Sequence, residues 1–308
     1  MVVKILGSAA GGGFPQWNCA CSNCARLREG RFQGEARTQA QLAWTDGSDG
    51  WTLLNASPDL RQQIESTREL WPRNGRKSPI RDVILTGAEV DQALGLLLLR
   101  EFHSFRVHAT PAVRAVLTRD NSMYRTLARF AGQVCWSDIA CDTPFFVGGA
   151  RVEPLELPGS ALPGFVQPER AAQLKPAESA IGLIVTPEAG GGAMAFLPGI
   201  GSVSDELLER LAACNVILFD GTFWTDEEPK TIPGITRTAR QMGHLPISGA
   251  GGSLERLASL TEAGLTQARR IFIHINNTNP ILDEAGDAFR TIRDCGWELA
   301  RDGMEILL

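Results

Sequence analysis

The strongest constraint on how this chain folds comes from three short apolar segments. Each is followed by a polar residue that can ligate a metal or transfer a proton. They have the composition of buried strands and cover residues 82–85, 216–219 and 270–273. Asp91, Asp220 and His274 follow their ends. Because polar groups beyond the carboxyl ends of strands meet at one rim of a sheet, we expect these side chains to converge. The chain is strand-rich at first and later alternates strands with helices, which predicts an α/β (α+β) fold with two mixed sheets face to face and helices outside.

The turn after the first of these segments carries two carboxylates. Glu89 and Asp91 lie between residues 82–85 and a leucine-rich segment, residues 93–101, that predicts a helix. Two carboxylates separated by one residue can point into one small volume and hold a cation. The alternative is helix capping, because acidic side chains stabilise the N-terminus of a helix. The turn taken alone leaves both interpretations open.

A cluster of cysteines lies near the N-terminus, at Cys19, Cys21 and Cys24. Zinc takes four ligands in a tetrahedron, and three thiolates within six residues can cover one face of the ion. The fourth ligand has to come from elsewhere in the fold. We expect this zinc to be structural, since a catalytic zinc seldom has three thiolate ligands. The other four of the seven cysteines are scattered, as expected for free thiols in a reducing compartment.

Charge and apolar run length exclude two classes of partner. The net charge of −5 over 308 residues argues against a nucleic-acid surface. No apolar run reaches the roughly 20 residues that cross a bilayer, so no membrane span is expected. The first strand, residues 2–6, runs into glycines too early to be part of a signal peptide. We therefore expect a cytoplasmic protein.

Two further segments bear on the arrangement of the fold. The glycine-rich residues 7–13 follow the first strand, but no helix of suitable length comes next, which disfavours a dinucleotide site. The glycines instead predict a close approach of the backbone to another element or to a metal. At the other end of the chain, residues 297–308 are predicted to form a pair of strands.

Several long strings of residues carry a resemblance to a known family. They are residues 7–24 (GSAAGGGFPQWNCACSNC), 55–61 (NASPDLR), 219–224 (FDGTFW), 242–248 (MGHLPIS) and 273–280 (IHINNTNP). Their order resembles the metallo-β-lactamase superfamily and, within it, the coenzyme PQQ synthesis protein B family. The resemblance covers essentially the whole chain. It implies a single metallo-β-lactamase-like domain over residues 1–308 with an αββα four-layer sandwich.

The metal motif of that superfamily, HxHxDH, is only partly present. It falls on Gly87, Glu89, Asp91 and Gln92, and only Asp91 matches in type. The final metal histidine is retained as His274, whereas the middle histidine and the bridging aspartate have no counterpart. A dinuclear zinc hydrolase site is therefore not intact. The resemblance implies one active-site iron held by Glu89, Asp91, His274 and, through its amide oxygen, Gln92.

That ligand set suits ferrous iron with open positions for molecular oxygen as co-substrate. The resemblance implies PQQ biosynthesis, through iron- and oxygen-dependent hydroxylation of the tyrosine ring in a Glu–Tyr cross-linked precursor. Two alternatives stay open: a carrier for transport of PQQ or its precursor to the periplasm, and a metallohydrolase. The expected partners are the small-molecule or peptide-derived precursor and other PQQ biosynthesis proteins. The sequence leaves the oligomeric state open, a homodimer included.

Relatives in the superfamily also imply roles for three further residues. A Gly-His motif there supplies a general acid or base oriented by a carboxylate, which implies proton transfer by His244 with Asp220. The alternatives are that His244 or Asp220 joins the iron, or that His244 only bonds the backbone. In a phosphodiesterase branch the fourth zinc ligand lies three residues after the last metal histidine, which is Asn277 here. Another residue or a water molecule is the alternative fourth ligand.

Overall fold

Two mixed β-sheets form the centre of the protein. The computed structural model describes residues 1–159, 162–262 and 268–308. Within them, the first sheet contains, in spatial order, β14 (Glu305–Leu307), β1 (Val2–Gly7), β2 (Gln41–Thr45), β3 (Trp51–Leu54), β4 (Ile80–Ile84), β5 (Phe105–Ala109) and β6 (Val134–Asp138). The second contains β13 (Trp297–Leu299), β12 (Arg269–Ile273), β11 (Val216–Asp220), β10 (Met194–Leu197), β9 (Ile181–Pro187), β8 (Ala150–Glu156) and β7 (Phe145–Val147).

Side-chain alternation along the strands explains why the two sheets pack face to face. In β11, Val216 and Leu218 point into an apolar layer shared with strands of the first sheet. Ile217 and Phe219 point the other way, into a cluster that includes helical residues. Because successive side chains of a strand face opposite sides, a strand that is apolar at every position is buried on both faces.

Helices cover the outer face of each sheet. The α-helices of the described residues are α1 (Ser22–Arg28), α2 (Leu60–Ser66), α3 (Val90–Ala93), α4 (Pro111–Ala115), α5 (Pro168–Ala171), α6 (Asp205–Ala212), α7 (Ser253–Glu262) and α8 (Asp287–Asp294). The second sheet packs against α6, α7 and α8, and the first packs against α2, α3 and α4. The predicted αββα sandwich is thereby confirmed. None of the described helices is both long and apolar enough to cross a membrane.

Two local predictions differ from the structure. The last two strands do not pair with each other: β13 lies parallel to β12, whereas β14 lies antiparallel to β1 in the other sheet. The turn between them crosses from sheet to sheet, because Ala300 N donates to Phe272 O and Gly303 N to Ile5 O.

The leucine-rich segment also differs, because its helix begins at Val90 and continues as a 3-10 helix over Leu94–Leu99. Gly95 N donates to Ala56 O at 2.7 Å, outside the segment. A Cβ at position 95 would lie 2.3 Å from the Ser57 carbonyl oxygen, so only glycine allows this approach.

Candidate active site

A cavity of about 570 Å³ lies at the rim where β4, β11 and β12 end. Asp91, His244 and His274 line it, and so do Gly11 and Gly12 of the glycine-rich loop. A Cβ at Gly11 would lie 3.6 Å from Asp91 Oδ2. The glycine loop therefore runs next to the predicted ligand turn, in agreement with the close approach that its sequence predicts.

Asp91 and His274 meet on this cavity although 183 positions separate them. His274 Nε2 lies 3.1 Å from Asp91 Oδ2. The other ring nitrogen, Nδ1, lies 2.8 Å from Thr222 Oγ1, which itself donates to Asp220 Oδ1 at 2.6 Å. Since this hydroxyl has one proton to donate, His274 Nδ1 carries the hydrogen of its own contact. In the neutral imidazole Nε2 then presents a lone pair to a carboxylate, so the contact needs either a proton, as in an imidazolium–carboxylate ion pair, or a metal ion between the two atoms.

The separation of these two atoms fits metal ligation. Two ligand atoms that each lie about 2.1 Å from one ion, at a right angle, are about 3 Å apart. His274 also adopts a left-handed backbone conformation, with φ of 58°. Such strain in a non-glycine residue costs on the order of 1 kcal/mol and clusters at functional sites.

Asp220 holds the second histidine of the site. It is fully buried, and its Oδ2 accepts hydrogen bonds from His244 Nδ1 at 2.8 Å and from Ile200 N at 3.1 Å. Its Oδ1 accepts from the backbone N–H and the hydroxyl of Thr222. One ligand atom from each of Asp220, His244 and His274 lies within 4.8 Å of the others, and the two imidazole rings stack with centroids 5.7 Å apart. Asp220 therefore orients both histidines, one directly and one through Thr222.

Ion pairing sets the pKa values of these groups. Burial raises the pKa of Asp91, but the hydrogen bond and charge of His274 outweigh it and hold that pKa below its usual value. Burial likewise raises the pKa of Asp220, and the charge and hydrogen bond of His244 reverse the effect. Burial lowers the pKa of His244, while Asp220 raises it above the ordinary value overall. The Asp220–His244 pair is thus stabilised in its charged form.

Glu89 and Gln92 line the cavity but are placed differently from Asp91. Glu89 is exposed, and partial desolvation followed by the charge of Asp91 raises its pKa. Gln92 Oε1 accepts from Glu89 N at 3.4 Å. A Cβ on Gly87 would lie only 2.2 Å from the same oxygen. Gln92 thus fills the space left by the missing side chain at position 87, and iron ligation by Glu89 and Gln92 stays a prediction.

Three residues of the site have no individual signal in the sequence. Thr222 joins Asp220 to His274, and Asp220-Gly-Thr222 was visible only as part of a family string. Asn55, in a left-handed conformation, accepts from Thr86 N and Oγ1 at 2.9 Å each and so fixes the start of the ligand turn. Arg237 lines the cavity without any motif signal.

The cysteine cluster lies at a second site. The structure brings its four predicted residues together: the three cysteines and Asn277. The Sγ atoms of the three cysteines lie within 4.8 Å of one another, which suits the spacing of about 3.8 Å between thiolates on one zinc. Asn277 Nδ2 lies 3.1 Å from Cys19 Sγ, 3.6 Å from Cys21 Sγ and 3.4 Å from Cys24 Sγ. A zinc ligand would have to be Oδ1, so the amide would turn over on binding. Ligation by Asn277 stays a prediction.

This cluster also supports the loop that carries His274. Asn23 Nδ2 donates to the carbonyl oxygens of Asn277 and Asn279 at 3.1 and 3.0 Å. Burial, with the neighbouring Cys21, raises the pKa of Cys24 to about 12, so a zinc ion has to displace a proton there. A metal at the cluster would therefore fix the loop three residues beyond His274.

Comparison with known proteins gives consistent matches over the whole chain. A family model described as a beta-lactamase superfamily domain matches residues 50–275. Coenzyme PQQ synthesis protein B of Pseudomonas protegens is 42% identical, and the match covers 100% of both chains. The corresponding protein of a Methylobacterium strain is 40% identical, again over 100% of both.

Solved structures agree with this. The crystal structure of Zn²⁺-bound PqqB from Methylobacterium extorquens has a TM-score of 0.89 and 38% identity, covering 100% of both chains. A diphosphatase from the PhnP family has a TM-score of 0.65 at 17% identity, covering 100% of this chain and 97% of the other. At this low identity, the match to the diphosphatase shows only that the two proteins share a fold.

Proposed function

Because the chain belongs to the coenzyme PQQ synthesis protein B family, within the metallo-β-lactamase superfamily, we propose that it hydroxylates a precursor in PQQ biosynthesis. The reaction is the iron- and oxygen-dependent hydroxylation of the tyrosine ring in the Glu–Tyr cross-linked precursor, in which one atom of O₂ enters the ring and an external two-electron reductant converts the other atom to water. The contact of Asp91 Oδ2 with His274 Nε2 at the cavity wall, with His244 beside it, is the observation that supports it best.

The donor set at the cavity fits one ferrous ion. Carboxylate and imidazole ligands with open positions suit non-heme iron, and the thiolates that favour zinc lie in the separate cysteine cluster. Asp91 and His274 would hold the ion, with Glu89 and Gln92 as further candidates. When bound, the iron supplies the activation of molecular oxygen. The second metal, a structural zinc, would lie at Cys19, Cys21, Cys24 and Asn277.

His244 and Asp220 would move protons during the reaction. Asp220 fixes a hydrogen on His244 Nδ1, so in the neutral imidazole Nε2 is the atom that can take a proton from a phenol in the cavity, and Asp220 stabilises the imidazolium that forms. Asp220 has no free acceptor atom, since four hydrogen bonds occupy its two oxygens. This argues that Asp220 positions His244 and does not ligate iron. The short separation of His244 and His274 supports a second possibility, in which His244 is itself an iron ligand.

The test begins with protein prepared without oxygen, loaded with ferrous iron and analysed for iron and zinc separately. Addition of the cross-linked precursor, oxygen and a two-electron reductant should give an oxygenated product of increased mass. The His274→Ala and Asp91→Ala variants should each contain at least tenfold less bound iron than the wild type, while their zinc content should stay the same. His103→Gln is the matched control, because His103 contacts the Ile80 carbonyl outside the cavity. Tightly bound iron with no oxygen consumed in the presence of precursor would refute the proposal.

The same experiment assigns His244. If His244→Ala binds iron normally but forms product slowly, the residue is the proton acceptor. If iron is lost as in His274→Ala, it is a ligand. Hydrolysis of an ester or phosphodiester with zinc alone would favour a metallohydrolase. PQQ binding without turnover, with zinc as the only metal, would favour a carrier.

A further inference from the structure

The cavity rim carries a cationic side chain that the proposed chemistry does not use. Arg237 is exposed and is the only lysine or arginine among the described residues that line the cavity. None of the described residues forms a hydrogen bond or an ion pair with the Arg237 guanidinium. Its charge is therefore available to a ligand.

The backbone beside Arg237 is fixed, although its side chain is free. Thr238 N donates to Gln241 Oε1 at 3.0 Å, and Ala239 N donates to the Asp226 carbonyl at 2.9 Å. Arg240, on the same segment, has a different role, since its guanidinium donates to the carbonyls of Ala250 and Gly251. Two neighbouring arginines thus differ: one holds a loop and the other faces the cavity.

The charges around the cavity indicate what Arg237 can bind. The other ionisable groups that line it are the carboxylates of Glu89 and Asp91 and the imidazoles of His244 and His274. The two carboxylates repel an anionic ligand, and Arg237 offsets this at the rim. A guanidinium matches a carboxylate with two parallel hydrogen bonds, which a neutral or cationic ligand cannot use.

We propose that Arg237 binds a carboxylate of the substrate and makes the cavity specific for acidic, amino-acid-derived ligands. The inference rests on the proposed function, because the Glu–Tyr cross-linked precursor carries such carboxylates. Arg237 acts in binding and specificity and takes no part in the oxidation.

The test measures binding without oxygen, by calorimetry, for the precursor and for its methyl ester, in which the carboxylates are neutral. Arg237→Gln should weaken precursor binding roughly tenfold and leave ester binding unchanged. Arg237→Lys should recover part of the affinity. Arg76→Gln, the matched control, removes the same charge from an exposed residue away from the cavity and should bind as the wild type does. In turnover, Arg237→Gln should raise KM and leave kcat unchanged.

Two results separate failure of this inference from failure of the proposed function. If the wild type binds the precursor and Arg237→Gln binds it equally well, Arg237 has no such role, while the proposed function stands. If Arg237→Gln weakens acid and ester alike, the residue acts on cavity shape and the charge argument is wrong. If the wild type binds neither compound, the substrate class is wrong and the inference falls with it.

Discussion

Replacement of Asp220 by asparagine tests the central hydrogen-bond arrangement of the site. The substitution keeps the shape of the side chain but replaces one acceptor oxygen by an NH₂ group. Both oxygens of Asp220 face donors: His244 Nδ1 and Ile200 N on one side, and Thr222 N and Oγ1 on the other. An amide therefore cannot satisfy both sides.

The least costly arrangement turns the amide oxygen to Thr222 and the NH₂ group to His244. His244 then has to move its hydrogen from Nδ1 to Nε2, while the buried Ile200 N–H is left without an acceptor. One unsatisfied buried donor costs about 1–3 kcal/mol, and loss of the charge-assisted bond to His244 adds to it. We expect Asp220→Asn to lower the free energy of unfolding by about 2–4 kcal/mol in total.

Urea unfolding measures that loss, and nitrogen NMR of the imidazoles reports the tautomer. The chain has only four histidines, which keeps the spectrum assignable. The pKa of His244 should fall in the variant, because the charge that raises it is gone. Asp49→Asn is the control: this exposed residue should change stability by less than about 0.5 kcal/mol. Unchanged stability together with an unchanged Nδ1–H tautomer would refute the reasoning.

Three further predictions concern the zinc cluster, a buried glutamate and the ligand turn. In chelator competition, the Asn277→His variant should bind zinc more tightly than the wild type, whereas the Asn277→Ala variant should not. Equal zinc affinities for all three proteins would exclude ligation at this position. Burial raises the pKa of Glu228 to about 7, so the fold loses stability as pH rises from about 4.5 through 7, by at most about 3 kcal/mol. Glu228→Gln should lack that loss in unfolding experiments at pH 5 and 8, and an identical pH dependence would contradict it. Gly87→Ala should displace the flexible Gln92 side chain and lower the free energy of unfolding by less than about 1.5 kcal/mol. The displacement should shift the side-chain amide NMR signal of Gln92. An unshifted signal would show that Gln92 does not fill this space.

The parts of the site that the sequence predicted are those fixed by local structure. Asp220 ends its strand and His274 follows its strand directly, so their place at the rim follows from the apolar runs before them. The three cysteines lie within six residues, and their spacing alone indicates a metal cluster. The family strings then indicated which distant segments belong together.

The sequence predicted the last strands and the leucine-rich helix less well. Residues 297–308 have the composition of two strands, but which edge each strand joins depends on hydrogen bonds to Phe272 and Ile5, in different sheets. The helix after the ligand turn changes type at Leu94, next to Gly95, whose N–H donates to the distant Ala56 carbonyl. Both outcomes depend on contacts between segments far apart in the chain, which local composition does not encode.

The sequence by itself determined the sandwich fold, the strand ends that carry Asp220 and His274, and the thiol cluster, because apolar periodicity and short spacings act locally. The sequence also placed Asn277 with the three cysteines and Asp91 with His274, but only the tertiary structure decided which atoms meet: Asn277 Nδ2 lies against the thiols, and Asp91 Oδ2 faces His274 Nε2. It also decided that Gln92 fills the space beside Gly87 and that Thr222 joins Asp220 to His274. These contacts arise where the two sheets and their loops meet, and packing of the whole chain sets that geometry.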